Sequence, residues 1–280
     1  MKAKTRQGTA AAFRDLHSGP GILLLPGVWD VASARVFASH GFAALGTTSA
    51  GVAWTMGYAN GQDAPWPVFL ERCRRIAQAV DIPVSFDIEA GFGDVAETVS
   101  DHVRQVIEAG ACGINLEDGV ADGRLGEPEL LEDKIRAIRE LSAAVGFPLF
   151  INARTDVYLG GMPDETKQLD EAIRRGQRYA EAGADGFFVP GLAQIDAIKE
   201  VVKEVRIPLN VYALPGVPGA ATLTELGVRR VSVGCGPLQA AMARIRAIAR
   251  ALRDEGDWSS FTDDWLEYGE VLALLRRADE

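Results

Sequence analysis

The stretch VSFDIEAGFGDVAETVSDHVRQVIEAGACGINLED (84–118) decides the fold. It opens on one short apolar run, VSFDIE (84–89), and closes on another, GINLED (113–118). Between them, residues 95–109 place apolar side chains near i, i+3, i+4 and i+7, the period of an amphipathic helix. Gly110 follows, and glycine caps a helix end in the left-handed conformation at little cost. Strand, helix, glycine and strand make one β-α-β unit of the kind that builds parallel sheets.

The unit repeats in both directions. Strands are predicted at 22–25, 43–48, 84–89, 113–118, 149–154, 186–189, 208–213 and 230–234. Helical periodicity runs over 67–80, 95–109, 132–144, 168–182, 194–205 and 237–252. Gly41, Gly183 and Gly227 punctuate helix ends as Gly110 does, and Pro83, Pro148 and Pro208 precede strands. Eight strands in 280 residues leave about 35 residues per unit, the size expected of an α/β chain folded as a (β/α)8 TIM-type barrel. A doubly wound open sheet is the rival. No composition shift marks a boundary, so residues 1–280 read as one barrel domain, with 254–280 as a C-terminal helical extension. Trp258, Phe261, Trp265 and Leu266 give that extension more apolar surface than a solvated tail needs. It either packs on its own barrel or meets another subunit.

Composition narrows the function. Apolar residues at 48% and charged residues at 24% are an ordinary globular balance. Lys and Arg number 29 against 39 Asp and Glu, a net charge of −10 that disfavours nucleic acid and anionic membranes as partners. Three scattered cysteines, Cys73, Cys112 and Cys235, support neither a disulfide framework nor a zinc cluster. The first nineteen residues lack the apolar run of a secretory signal, and no stretch approaches the ~20 apolar residues that span a bilayer. A cytoplasmic location is expected.

In a barrel, chemistry gathers at the C-terminal ends of strands. Asp87 and Glu89 fall there, as do Asn115, Glu117 and Asp118, then Asn152, Arg154 and Asp156, and finally Asn210. Side chains two apart share a face, so Asp87 pairs with Glu89, Asn115 with Glu117, and Asn152 with Arg154. Arg154, Asn115 and Asp118 are the catalytic candidates. Asp87, Glu89 and Glu117 are the metal candidates, because converging carboxylates repel unless a cation or protons intervene. An oxygen-only set without His or Cys suits Mg2+. The alternative is that these residues only cap loops and pair with Arg154. His17, His40 and His102 fall in helical stretches, which disfavours a Ser-His-Asp triad or a His-ligated metal. The lysines lie on helices or loops, which disfavours a Schiff base. GCGP (234–237) is either an anion-holding loop or a tight turn into the last helix, and Cys235 within it reads as a small buried residue.

Four segments, PGVWDVASARVFASHGFAALGTTSAGVA (26–53), FDIEAGFG (86–93), INLED (114–118) and INARTD (151–156), resemble the isocitrate lyase/phosphoenolpyruvate mutase superfamily. The likeness runs from about Pro26 to Gly234. It implies a barrel whose last helix swaps between subunits of a homodimer or homotetramer, Mg2+ as cofactor, and a small 2-oxo or 2-hydroxy carboxylate as substrate. The implied chemistry makes or breaks a C–C or P–C bond next to an enolate. The resemblance maps Asp87, Glu89 and Glu117 onto the family's metal acids, with Glu89 where many members have Asp. It maps Arg154 onto the arginine that grips a substrate carboxylate, and Thr48, Ser49 and Ala50 onto a turn that binds a carboxylate through backbone amides. Asn210 maps onto a substrate-side asparagine of the lyases.

Departures bear on the subclass. Asn60 stands where members usually carry an acid. A gapless register places Gly123, Arg124, Leu125, Gly126 and Glu127 over the lyase loop, with Leu125 at the position of its acid/base cysteine. Gly191 replaces a substrate-contacting Glu. A cysteine-dependent isocitrate or methylisocitrate lyase is therefore not expected. An enzyme of another branch is the leading reading, and a degenerate barrel that binds a small carboxylate is the alternative. Residues 119–130, rich in Gly and Pro, are expected to gate the barrel mouth.

Overall fold

Pro26 follows the strand predicted at 22–25, and beyond it lies a short strand that the sequence pattern does not indicate. Before Pro26, β1 (Leu23–Leu25) pairs in parallel with β9 (Arg230–Ser232); after it, β2 (Gly27–Val28) pairs in parallel with β3 (Leu45–Thr47). Proline has no N–H to give a ladder, so the chain changes partner there. The structure is a computed structural model that describes residues 3–119, 124–162 and 164–276. The remaining strands are β4 (Val84–Asp87), β5 (Gly113–Glu117), β6 (Phe150–Arg154), β7 (Gly186–Val189) and β8 (Leu209–Tyr212). The sheet order is β1-β9-β8-β7-β6-β5-β4-β3-β2, all parallel. Its two ends, β1 and β2, are separated by one residue, so the sheet forms a nearly closed TIM-type barrel, as the repeat predicts. The open sheet is excluded. At the seam a Cβ on Gly27 would lie 1.9 Å from the Gly234 carbonyl oxygen, which explains the glycine.

Alternation along the strands sorts the core. Phe86, Ile114, Ile151, Phe187, Val211 and Val231 are buried on the outer face, beneath the helices. Those helices are α2 (Val31–Ser39), α3 (Ser49–Trp54), α4 (Trp66–Gln78), α5 (Ala96–Ala109), α6 (Pro128–Ala144), α7 (Gln168–Ala182), α8 (Ile195–Val205) and α9 (Ala220–Glu225). Both α5 and α7 end in glycines with φ of +110°, Gly110 and Gly183. The preceding α1 (Ala3–Asp15), in a stretch with no predicted element, closes the N-terminal end of the barrel. Its Phe13 packs edge-on to Phe150 at 5.7 Å, and the His17 ring stacks on Phe150 at 4.0 Å.

After β9, α10 (Gly236–Glu255) buries Leu238 and leaves Met242, Ile245 and Leu252 exposed. The predicted extension is two short helices, α11 (Ser259–Thr262) and α12 (Tyr268–Leu275). α12 returns to α2, where Arg35 Nη1 donates to the carbonyls of Leu274 (2.9 Å) and Arg276 (2.6 Å). Among the described residues no helix is long and apolar enough to cross a membrane.

Candidate active site

A cavity of about 250 Å3 opens at the C-terminal ends of the strands. Asp87, Glu89, Asn115, Glu117 and Arg154 line it, together with Thr48, Ser49 and Ala50. One wall is acidic. Asp87 ends β4, its backbone N–H donates to Thr47 Oγ1 (2.9 Å), and its Oδ2 accepts from Ser49 Oγ (2.9 Å). Its Oδ1 is buried and has no hydrogen-bond partner. Glu89 occupies the turn after β4 with φ of +50°, and its carboxylate accepts from the backbone N–H groups of Gly61 and Gln62, both at 3.1 Å. Burial, then the charge of Asp87, push the Glu89 carboxyl above its usual range. Glu117 is pushed well up by burial and by Asp156, Asp87 and Glu89, against the opposing pull of Arg154. Protons or a cation must relieve this crowding.

Arg154 faces that wall. Its Nη1 lies 2.7 Å from Glu117 Oε2, and its Nε and Nη2 hold the two oxygens of Asp156 at 2.6 and 2.9 Å. Burial alone would lower the guanidinium, but Glu117, Asp156 and Asp87 outweigh it and keep it protonated. Asp156 engages two of the five N–H donors and Glu117 is ion-paired to Nη1, which leaves donors for an incoming carboxylate.

Two expected site residues lie elsewhere. Asp118 is one step beyond Asn115 and Glu117 in the alternation and turns outward. There its Oδ2 accepts from Arg175 Nη1 (2.9 Å) and the Tyr179 hydroxyl (2.8 Å) on α7, and its Oδ1 from the Asp156 N–H (3.0 Å). It is a buried structural anion, not a cavity group. Asn210 shares the inward face of β8 but lies one layer down, donating to Ser232 Oγ at 3.0 Å; Tyr212, two residues on, lines the cavity instead. Cys235 is also corrected. It lines the cavity, half-exposed, with Sγ 3.6 Å from the Tyr212 hydroxyl. Burial and that thiol push the Tyr212 hydroxyl up to about 12.

Arg230 and Ser232 line the cavity as well, and the sequence reading passed over both. The signal available was Arg-x-Ser in one predicted strand, two polar residues on one face. The histidines are remote from the chemistry: His17 stacks at the opposite barrel end, His40 is exposed, and His102 stacks on Trp66 at 4.4 Å. Within the expected gate, residues 120–123, and with them Gly123, lie outside the described residues. Around them, Gly119 bridges Leu125, and the Gly126 N–H donates to the Asp118 carbonyl at 2.8 Å.

Residues 13–253 match the family described as phosphoenolpyruvate phosphomutase. The chain belongs to this family. Its resemblance to the wider isocitrate lyase/phosphoenolpyruvate mutase superfamily is thereby borne out. Uncharacterized protein Rv1998c of Mycobacterium tuberculosis (strain H37Rv) is 37% identical over 243 residues, covering 87% of this chain and 89% of that protein. An oxaloacetate decarboxylase of Pseudomonas fluorescens (strain SBW25) is 30% identical over 261 residues, covering 90% and 86%. The crystal structure of a candidate lyase/mutase from Burkholderia cenocepacia J2315 superposes with a TM-score of 0.91 at 33% identity, covering 99% of this chain and 98% of that one. The family's relatives are thus lyases and mutases acting from the same barrel.

Proposed function

We propose that the protein is a Mg2+-dependent enzyme of the phosphonomutase/lyase type. Its substrate is a small 2-oxo or 2-hydroxy carboxylate in which a C–C or P–C bond is made or cleaved. The observation that carries this reading is the meeting, in one cavity, of a crowded carboxylate wall and an arginine with unused donors. The residues fit a hard cation held largely by water. Asp87 Oδ1 is an orphaned buried acceptor, and Glu89 and Glu117 resist ionising together. Among the described residues no three acidic, His or Cys side chains converge closely enough to ligate a metal unaided. Mg2+ keeps several waters and takes one or two carboxylates, so it makes no demand for such a cluster. Asp87, Glu89 and Glu117 would hold the ion, partly through water.

Bound there, Mg2+ would act as a Lewis acid on the 2-oxo group. Arg154 binds the substrate carboxylate with its spare N–H groups and places the bond to be broken above the acid wall. The turn of Thr48, Ser49 and Ala50, which lines the cavity beside Asp87, would bind a carboxylate end through its backbone amides. Leu125 favours a second reading, a carboxylate binder without turnover, because no proton can come from that side chain. Incubation with phosphonopyruvate, oxaloacetate and methylisocitrate plus Mg2+, reading pyruvate, phosphate and CO2, separates the two. Release of product from one acid supports the enzyme; binding without release supports the binder.

We further propose that a second copy of the chain covers the exposed face of α10, giving a helix-swapped homodimer or homotetramer. Met242, Ile245 and Leu252 on a helix that its own barrel barely buries support this. Light scattering on Ile245→Glu should show dissociation, and a monomeric wild type would overturn it.

A further inference from the structure

Arg230 crosses the barrel interior beneath the cavity. It is 1% exposed, yet it lines the cavity floor. Its Nε donates to Ser232 Oγ at 3.1 Å, and its Nη2 to Asn115 Oδ1 at 3.0 Å. Both acceptors are neutral. Its Nη1 is buried with no partner. Arg154 and Arg175, by contrast, are each paired with two carboxylates. A buried cation without a bonded anion is costly, and a fold seldom keeps one unless something supplies the anion.

The neighbouring groups tell the same story. Ser232 Oγ already accepts from Arg230 Nε and from Asn210 Nδ2, so its hydroxyl hydrogen is free to donate. Asn115 Oδ1 accepts from both Arg230 Nη2 and Asn152 Nδ2, which orients the amide and leaves its NH2 as a donor. Three donors therefore converge on the floor: the Arg230 guanidinium, the Ser232 hydroxyl and the Asn115 amide. They face a wall made of acceptors, Asp87, Glu89 and Glu117. The cavity is electrostatically two-sided.

We propose that Arg230, with Ser232 and Asn115, is a specificity-determining anion floor that captures a second acidic group on the substrate. The inference rests on the reading of the site as one for 2-oxo acids and goes beyond it: the site selects an acid bearing a second anionic group, carboxylate or phosphonate, over a monoacid such as pyruvate. Arg154 takes one end of the molecule and Arg230 the other.

Titration calorimetry on the full chain with Mg2+ tests this. The probes are pyruvate, 3,3-difluorooxaloacetate, which has no hydrogen on C3, and phosphonopyruvate. Wild type should bind at least one of the two diacids roughly tenfold or more tighter than pyruvate, the scale of a charge-assisted contact. Arg230→Met should erase that preference while leaving pyruvate affinity within about twofold. Arg230→Lys should restore part of it. Ser232→Ala, which leaves the charge intact, should cut diacid affinity by a few-fold and keeps the test open if Arg230→Met fails to fold. A preference for one diacid only assigns the floor to carboxylate or to phosphonate. Equal loss for all three probes would overturn the proposal and make Arg230 a general counter-charge to Asp87. Wild type that binds none of the three would overturn the 2-oxo acid reading itself.

Discussion

Glu117 and Arg154 are register partners on β5 and β6, and their charged ends meet at 2.7 Å inside the cavity. The pair joins the acid wall to the carboxylate anchor. Arg154→Met removes the anchor and strands Glu117 as an unpaired buried acid. Truncating one partner of such a pair costs about 2–5 kcal/mol, so catalytic efficiency should fall by roughly thirtyfold or more. Steady-state kinetics on the accepted substrate checks this, and activity within threefold of wild type would remove Arg154 from the site. Lysine should not rescue it, because an ammonium cannot hold Asp156 and a substrate carboxylate in one planar fork.

Asp118 should affect stability and not chemistry. It is fully enclosed by Arg175, Tyr179 and the Asp156 N–H. Asp118→Asn leaves Arg175 without its deepest counter-ion and should cost about 3–5 kcal/mol in chemical denaturation. The folded fraction should keep near-normal turnover. A stable but inactive Asp118→Asn would return this residue to catalysis.

His17 makes stability pH-dependent. Burial, then Arg230, hold its imidazole down at about 3, against about 6.5 when unfolded. The unfolded chain thus binds more protons between those values. Stability should be fully present above pH ~6.5 and fall by about 1.4 kcal/mol per pH unit on acidification towards 3, apart from other groups. Denaturation midpoints for wild type and His17→Gln should keep a constant difference above pH ~6.5, and below it wild type should lose stability relative to the variant. Parallel curves would contradict this.

The barrel was legible because strand, helix and glycine cap repeat with a regular period, and each predicted strand overlaps an observed one. Period-two alternation also placed Asn115 with Glu117, and Asn152 with Arg154, on the inner face. The same alternation puts Asp118 on the outer face, towards α7, so only its residue type had pointed to a catalytic role. Depth was not legible. Asn210 and Tyr212 share a face, but the stagger of strands around a closed barrel decides which one reaches the cavity. The same stagger, with a long side chain, brings Arg230 from the start of its strand to the cavity floor. Cys235 was judged by residue type, and only the packing of β8 against the following turn brings it to Tyr212.

Leu125 sets an expectation about substrate. Cleavage of methylisocitrate needs a proton for the departing succinate-like carbanion, and acid–base help is worth ~10²–10⁴-fold. Pyruvate release from methylisocitrate at saturating Mg2+ should run at least roughly a hundredfold below that of a cysteine-bearing lyase under matched conditions. Equal rates would show that another group, such as Cys235 or Tyr212, delivers the proton.

The central claim is that the acid wall and Arg154 form one metal-assisted carboxylate site. Crystals soaked with Mg2+ and oxalate, a planar mimic of a 2-oxo carboxylate, test it most directly. The account predicts one ion held by Asp87, Glu89 and Glu117, partly through water, and an oxalate carboxylate on Arg154. An ion bound elsewhere, or oxalate bound in the cavity away from Arg154, would contradict it.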